Sequence, residues 1–415
     1  MSKKESVRQP LWTRDFTIIT AGSAVSMFGN AMSGFAMSLL VLDMTGSTLL
    51  YAVYMILYTL PQIIMPVVSG ALLDRFSRKK TIWCLDFISA FLYMSAALIL
   101  HGGFFSFPVF ALYVFLIGAV NSTYMVAFDS FYPLLITEGN YSRAYSLMSV
   151  LETASAVMVP VSAWAYNQFG ISPMMAVNAV SFLIAACLEM QIRTEEKYIA
   201  KQRSVITEGK RTFSDIREGA AYLMTRPGLK AIAFYFAFAS LAGGASQVVT
   251  LPYFKSTYPN GEYIYMIVWG MAVAGRGIGG LIHYHITLPV QKKFTIAFVV
   301  YMATSLIEAF YLFLPVPVMA FLLLCTGFMG ITSYTIRTSS TQSYVPDEMK
   351  GRFNGACNML NTAGALAGEM TAGILADIIS GRIVLMAFML INALAAVILI
   401  GKNKKDIAPI YNTQN

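Results

Sequence analysis

The chain has 415 residues, of which 57% are hydrophobic and only 12% are charged. A soluble protein carries about a quarter charged residues, so this composition and the mean hydropathy of +0.63 indicate a protein that crosses a membrane many times. The net charge of +8 does not indicate nucleic-acid binding, because the cations lie in particular connecting segments. The four cysteines are scattered through apolar segments and the three histidines lack a ligand spacing, so we expect no metal and no cofactor.

Hydropathy predicts an all-α polytopic membrane protein with about twelve spanning helices. Each spanning helix needs about 20 apolar residues, and such stretches follow one another along most of the chain. Their approximate limits are 16–42, 49–73, 81–100, 108–128, 143–165, 172–192, 229–254, 263–285, 294–314, 317–337, 353–376 and 383–400.

A short basic loop joins the second and third predicted spans. It runs from Gly70 to Lys80 and contains four cations and one carboxylate, Asp74. Short loops rich in Lys and Arg stay on the cytoplasmic side of a membrane. The order of residues resembles the signature loop of the major facilitator superfamily, Gly-x-Leu-x-Asp-Arg-x-Gly-Arg-Lys, with Ser77 at a position where the family usually has Gly.

The resemblance implies a fold and a gate. The fold consists of two six-helix halves that expose a substrate site to either side of the membrane in turn. In the family the loop carboxylate, here Asp74, caps the eleventh span. A loop arginine, Arg75 or Arg78, pairs with an acid at the end of the fourth span, here Asp129. Together with Gly70, these residues form the predicted gate, which holds the outward-facing state.

The segment Asp43–Ser47 closes the first span and is similar to the drug-efflux branch of that family, which includes macrolide and enterobactin exporters. Two features depart from proton-coupled drug antiporters. The predicted fourth span holds no cation, and Pro160 alone remains of the antiporter signature in the fifth span. Proton antiport is therefore implied by the branch rather than by its motif.

A central cavity is also implied by the resemblance, because the first, fourth, seventh and tenth spans line it in the family. The eleventh span adds a polar stripe whose spacing of four and three places its side chains on one helix face. The alternative for such amides is that they only join helices. The candidate cavity residues are Asn30, Met37, Tyr124, Gln247, Tyr334, Asn358 and Asn361.

Ionisable groups inside a membrane are costly and are therefore functional candidates. A buried carboxylate without a cation can bind and release a proton near neutrality. We predict proton coupling at Glu152 first, then at Glu369 and then at Glu308, all deep within predicted spans. Arg276, also deep, is expected either to neutralise a carboxylate or to bind an anionic substrate.

A second set of charged residues lies within a turn or two of the cytoplasmic surface. We expect these side chains to be solvated or paired with loop cations. They are Asp86, Asp129, Glu189 and Arg337.

The longest polar stretch divides the chain. The predicted organisation is an N-terminal half (1–192), a linker (193–229), a C-terminal half (230–402) and a tail (403–415). The second part of the linker has the residue spacing of an amphipathic helix on the membrane surface. A weak internal repeat with a shift of 209 residues aligns Arg143 with Arg352. The excess of cations on one side predicts that both termini and the linker lie in the cytoplasm.

These features favour a secondary transporter that exports an amphipathic small molecule, drug-like or siderophore-like, by proton antiport. Uptake or lipid flipping by the same fold, or uniport, is the alternative. An enzyme is not expected, because no clustered nucleophile, metal site or acid pair is visible, and a nucleotide-driven pump would need a phosphate-binding loop. A receptor without transport activity is a further alternative. The expected partners are the substrate, protons and the lipid bilayer of the cell membrane, and the expected state is a monomer.

Overall fold

The computed structural model describes residues 10–73, 76–137, 140–155, 157–194, 196, 217–285 and 289–412. The described part of the chain is helical almost throughout and contains no strand. Its helices are α1 (Arg14–Thr45), α2 (Thr48–Leu73), α3 (Arg78–His101), α4 (Phe107–Phe131), α5 (Tyr141–Ser155), α6 (Met158–Phe169), α7 (Ile171–Glu189), α8 (217–225), α9 (Pro227–Thr257), α10 (Gly261–His285), α11 (Lys293–Phe310), α12 (Val316–Tyr344), α13 (Asp347–Ala376), α14 (Gly381–Ala395) and α15 (Lys404–Tyr411).

Eleven segments of the described residues are long and apolar enough to cross a membrane. They correspond to the predicted spans except the eleventh, which forms the 30-residue helix α13. That helix is long enough to span about 30 Å of hydrocarbon, but its amides, glycines and carboxylate lower its hydropathy. The all-α polytopic fold is confirmed.

The structure describes two helices within the fifth predicted span, and residue 156 between them lies outside the described residues. α5 ends at Ser155 and α6 begins at Met158. Pro160 lies in the first turn of α6, where its missing N–H needs no partner. In an unbroken helix its ring would meet the carbonyl four residues earlier. The one proline that remains of the antiporter signature therefore lies at a helix start, where it is tolerated.

Two compact units make up the chain: Met1–Gly46 with Leu57–Lys210, and Ser47–Ile56 with Arg211–Asn415. In the first unit, α1 packs on α7 through polar side chains. The Asn178 amide donates to Ser33 Oγ at 2.7 Å and to Asn30 Oδ1 at 3.3 Å. The first unit also encloses an apolar cluster that includes Phe16, Phe131 and Tyr132.

In the second unit, glycines bring helix backbones together. A Cβ on Gly244 of α9 would overlap the carbonyl oxygen of Ala365 in α13, and a Cβ on Gly368 would overlap that of Leu241. α10 and α12 approach in the same way, because Gly275 lies against the backbone of Leu324. Such contacts between small residues join helices where apolar burial gives no preference over lipid.

Helices also form in the described end of the linker and in the predicted tail. The described part of the linker helix, α8, packs on the start of α13. Gly219 of α8 lies against the backbone carbonyl of Arg352. The Arg352 guanidinium forms a salt bridge with the Glu218 carboxylate at 2.8 Å. Residues 403–415 are predicted to be a tail, but α15 is packed in the core, with Tyr411 fully buried and its hydroxyl 3.0 Å from that of Tyr301. The remaining boundaries of the four predicted segments stay a prediction.

Candidate functional site

A cavity in the second unit has a volume of about 280 Å³. α9, α12 and α13 form its walls. The side chains on it include Phe236, Tyr334, Arg337, Gln342, Asn354, Asn358 and Asn361.

One wall of this cavity is polar. Asn354, Asn358 and Asn361 follow one another along α13 on the cavity face, and the Gln342 amide donates to Asn354 Oδ1 at 2.8 Å. The buried Oδ1 of Asn361 has no hydrogen-bond partner in the described part of the protein. An acceptor of this kind is costly unless a donor reaches it, so this wall is suited to a ligand that carries hydrogen-bond donors.

The opposite wall is aromatic and carries one cation. The Arg337 guanidinium carbon lies 4.2 Å from the centroid of the Phe236 ring and 5.9 Å from that of Tyr334. Stacking on two rings holds the guanidinium in place. Arg337 was expected to be solvated or paired near the surface, and no role in a site was assigned to it. Its position three residues after Tyr334, on the same helix face, is the signal that indicates a shared wall.

A second, smaller cavity of about 40 Å³ surrounds Glu308 in the same unit. Gln247, Tyr265 and Trp269 are among its lining residues. Arg276 is exposed, with its guanidinium carbon 5.7 Å from the Trp269 ring centroid, and it has a favourable Coulomb interaction with Glu308. The carboxylate that Arg276 was expected to neutralise is therefore best matched by Glu308.

The candidates in the first unit have different surroundings. Asn30 Oδ1 accepts hydrogen bonds from Asn178 and from the Tyr93 hydroxyl, at 3.4 Å for the latter, so its amide joins helices. Met37 is buried to 1% exposure within the packing of α1. The Tyr124 hydroxyl donates to Glu189 Oε1 at 3.4 Å.

The burial of the acidic side chains differs from the prediction. Glu152 is exposed, on a face of α5 that also carries Tyr145 and Ser149, and its role in proton coupling stays a prediction. Asp86 and Glu189 were expected to be solvated or paired, yet their exposures are 1% and 0%. Depth along a span follows from sequence, whereas burial depends on which helix packs against that face.

Glu369, the second predicted proton-coupling residue, is 3% exposed. Its Oε2 has no hydrogen-bond partner among the residues that the structure describes. Glu369 follows Asn361 by eight residues in α13 but is not on the wall of the 280 Å³ cavity.

The signature loop is described only in part. Asp74 and Arg75 lie outside the described residues, and Gly70 belongs to α2. Ser77, which replaces the family's Gly, caps α3 by accepting from the Lys80 N–H at 3.1 Å. Ser is a preferred residue at this position of a helix, which accounts for the departure.

Two basic side chains at the end of the loop form hydrogen bonds to backbone carbonyls of the first unit. Arg78 donates to the carbonyl of Ser130 at 3.0 Å, one residue beyond Asp129, and Lys79 Nζ donates to the carbonyl of Thr194 at 3.3 Å. Asp129 is exposed and has an unfavourable Coulomb interaction with Glu152. The pairing of Asp129 with a loop arginine stays a prediction.

Asp377, at the end of α13, caps the first turn of α2 within the second unit. Its carboxylate accepts from Ser47 Oγ at 2.5 Å, from the Thr48 N–H at 2.6 Å and from the Leu49 N–H at 3.3 Å. Ser47 Oγ in turn accepts from the Leu50 N–H at 3.1 Å. These contacts satisfy the first N–H groups of α2, which have no partner inside the helix. The sequence did not indicate this contact, because 330 residues separate Ser47 from Asp377.

We expect Asp377→Ala to lower the free energy of unfolding by about 2 kcal/mol, because a charged cap and its hydrogen bonds are lost together. Thermal unfolding of the purified protein measures the change. Ser47→Ala removes part of the same network, so the double variant should lose less than the sum of the single losses. Additive losses would contradict the network.

The sequence model of the Major Facilitator Superfamily matches residues 19–369. The chain belongs to this superfamily. The match covers both units and includes the signature loop, the 280 Å³ cavity and every predicted proton-coupling residue.

Several relatives within the superfamily share low identity with this chain. YkuC of Bacillus subtilis, an uncharacterized transporter, is 26% identical over 67% of this chain and 68% of its own length. Macrolide efflux protein A of Streptococcus pyogenes is 24% identical over 65% of this chain and 66% of its own length. Multidrug efflux pump Tap of Mycolicibacterium fortuitum is 24% identical over 97% of this chain and 98% of its own length.

Solved structures of superfamily transporters share the fold. The nucleoside transporter NupG superposes with a TM-score of 0.62 at 14% identity, covering 96% of this chain and 99% of its own. The POT family transporter PepTSo gives a TM-score of 0.64 at 12% identity, covering 95% and 99%. At these identities the likeness shows the fold alone.

Proposed function

We propose that this protein is a secondary active transporter that exports an amphipathic small molecule, drug-like or siderophore-like, in exchange for protons by alternating access. The observation that carries the proposal is the 280 Å³ cavity, where aromatic rings, amides and a guanidinium line one space. Such a wall fits a ligand with an apolar body and a few polar groups. Similarity to a multidrug efflux pump over 97% of the chain supports export.

One buried carboxylate and one half-buried carboxylate support the coupling to protons. Glu369 is enclosed by helices, and Glu308 lies in a small cavity near Arg276. A negative charge removed from water is costly, and binding a proton removes that cost. Ionisable side chains kept at membrane depth are typical of proton pathways.

The proposal includes a gate, a location and an oligomeric state. The gate consists of Gly70, Asp74, Arg75, Arg78 and Asp129, as the resemblance implies. The protein functions as a monomer in the cell membrane, with both termini and the linker in the cytoplasm. The support for this orientation is the excess of cations in the connecting segments on one side.

Transport by the purified protein in liposomes tests the proposal. A panel of fluorescent amphipathic compounds is presented under an imposed pH gradient, with the orientation of the protein determined by protease access to the linker. We expect compounds to move toward the face opposite the linker as protons move the other way. Movement only down the compound's own gradient, accumulation on the linker side, or transfer of labelled phospholipid alone would contradict the proposal.

We expect Arg337→Gln to weaken substrate binding by about thirtyfold, or about 2 kcal/mol, because a charge-assisted hydrogen bond to the ligand is lost. Equilibrium binding to the purified protein measures this. Arg352→Gln is the matched control, since Arg352 pairs with Glu218 away from the cavity, and its affinity should equal that of the wild type. Equal affinity in the Arg337 variant would remove this cavity from the substrate path.

A further inference from the structure

Two carboxyl groups face each other inside the first unit, and the proposed function does not use them. Asp86 belongs to α3, and Glu189 is the last residue of α7. Their exposures are 1% and 0%, and they lie within hydrogen-bonding reach of each other.

No positive charge compensates this pair within the described residues. The groups that act on the two carboxyls are each other and the Tyr124 hydroxyl of α4, which donates to Glu189 Oε1 at 3.4 Å. α1 contributes only Ser23, near Tyr124, and Gly22, whose absent side chain leaves room for Glu189. Two buried carboxylates without a cation are strongly unfavourable.

The two carboxyls also lack hydrogen-bond donors, just as they lack a positive charge. Both oxygens of Asp86, Oε2 of Glu189 and Oγ of Ser23 are buried, and the described protein offers them no partner. Ionised carboxylates only accept hydrogen bonds, so neither can satisfy the other. One proton on the pair supplies the missing donor, because a protonated carboxyl donates to an ionised one. Ser23, which interacts with Tyr124, carries a further hydroxyl donor beside the pair.

We infer that Asp86 and Glu189 bind one proton between them and that this pair is a proton-coupling site of the transporter. The proton forms an O–H bond on one carboxyl and a hydrogen bond to the other. It comes from the aqueous phase and returns there, and no other bond changes. Its binding stands on the geometry, whereas its use in transport rests on the proposed antiport.

Release of this proton provides a reason for the first unit to change conformation. It leaves two like charges in contact in an interior that excludes water, and like charges at such a separation cannot both remain ionised. α1, α3, α4 and α7 all contribute to the enclosure, so water reaches the pair only when these helices separate. Deprotonation therefore favours a state in which the pair is open to water, and protonation favours the closed state.

Infrared difference spectroscopy across a pH titration tests the binding, because a protonated carboxyl has its own C=O stretching band. We expect a band that is lost in Asp86→Asn and in Glu189→Gln. Glu218→Gln, an acid-to-amide change at an exposed ion pair, should keep it. Gly22→Ala keeps both carboxyls but would place its Cβ 3.1 Å from Glu189 Oε1, so the band should shift. This variant provides the test if an amide variant does not fold.

Transport measurements on the same variants test the coupling. We expect both amide variants to lose gradient-driven transport but to keep substrate binding, and the double variant to lose no more than either single one, since the pair acts as a unit.

A band unchanged in all three variants of the site overturns the inference. In another outcome, sodium stabilises the wild type at fixed pH and fails to stabilise either amide variant. That result would also overturn the inference, because a metal cation would then occupy the pair. Full gradient-driven transport in both amide variants overturns the coupling. The expected bands in a wild type that shows no proton-driven transport would support the proton site and overturn the antiport.

Discussion

Gly244→Ala is expected to lower the free energy of unfolding by about 3 kcal/mol, because overpacking at a close helix contact forces the backbones apart. The new Cβ would overlap the carbonyl oxygen of Ala365. That atom belongs to the backbone of α13 and cannot rotate away. Gly364 and Gly368 make equivalent contacts from α13 toward α9, so relief at one point strains the others. Thermal unfolding in detergent, with the yield of monodisperse protein, measures the loss.

The adjacent residue provides a matched control. A Cβ on Gly243 meets nothing within 4 Å in the described structure. Ala is favoured over Gly inside a helix by about 0.5–1 kcal/mol, so Gly243→Ala should leave stability unchanged or raise it slightly. Equal losses in the two variants would show that helix propensity or lipid contact, and not the approach of α9 to α13, decides the effect.

Asp74→Asn is expected to abolish most transport while folding and membrane insertion remain intact. Asp74 is the one carboxylate among four cations in the loop from Gly70 to Lys80, and topology needs only the cations. The described part of the loop is anchored, with Ser77 capping α3 and Arg78 bonded to the carbonyl of Ser130. Replacing the Asp74 carboxylate by an amide therefore removes its negative charge without releasing the anchored part of the loop. Transport rates in liposomes, normalised to inserted protein, measure the effect.

Lys80→Gln separates the carboxylate from the general charge of the loop. Lys80 is exposed, so its variant should keep transport. The proposed pairing of Arg78 with Asp129 is tested by Arg78→Gln, Asp129→Asn and the double variant, which should lose less than the sum of the single losses. A wild-type rate in Asp74→Asn would remove the gating role, and strict additivity would remove the pair.

The sequence predicts the spans well because hydropathy is local. A stretch of about 20 apolar residues must cross the membrane as a helix, since backbone groups find no other partner there. The start of a separate helix, α6, shortly before Pro160 was not predicted. The cap of α2 by Asp377 depends on a contact between residues far apart in the chain, which no local pattern contains.

Burial of the acids could not be predicted for the same reason. Glu152 and Glu189 both lie in apolar segments, yet one is exposed and the other has no exposed surface. What separates them is the partner helix: α7 packs closely on α1 and α3, whereas among the described residues of α5 only Ala144 is buried. The absence of Cβ at Gly22, which makes room for Glu189, is visible in the sequence only after the packing is known.

Proton movement driven by substrate is the most direct test of proton antiport by this protein. Liposomes containing the protein and an internal pH indicator are prepared without any pH gradient, and a transported compound is added outside. Proton antiport through the Asp86–Glu189 pair predicts that compound entry drives protons outward, so the interior becomes alkaline, and that Glu189→Gln abolishes this change while keeping compound binding. Entry of the compound at the normal rate with no change in internal pH would contradict proton antiport.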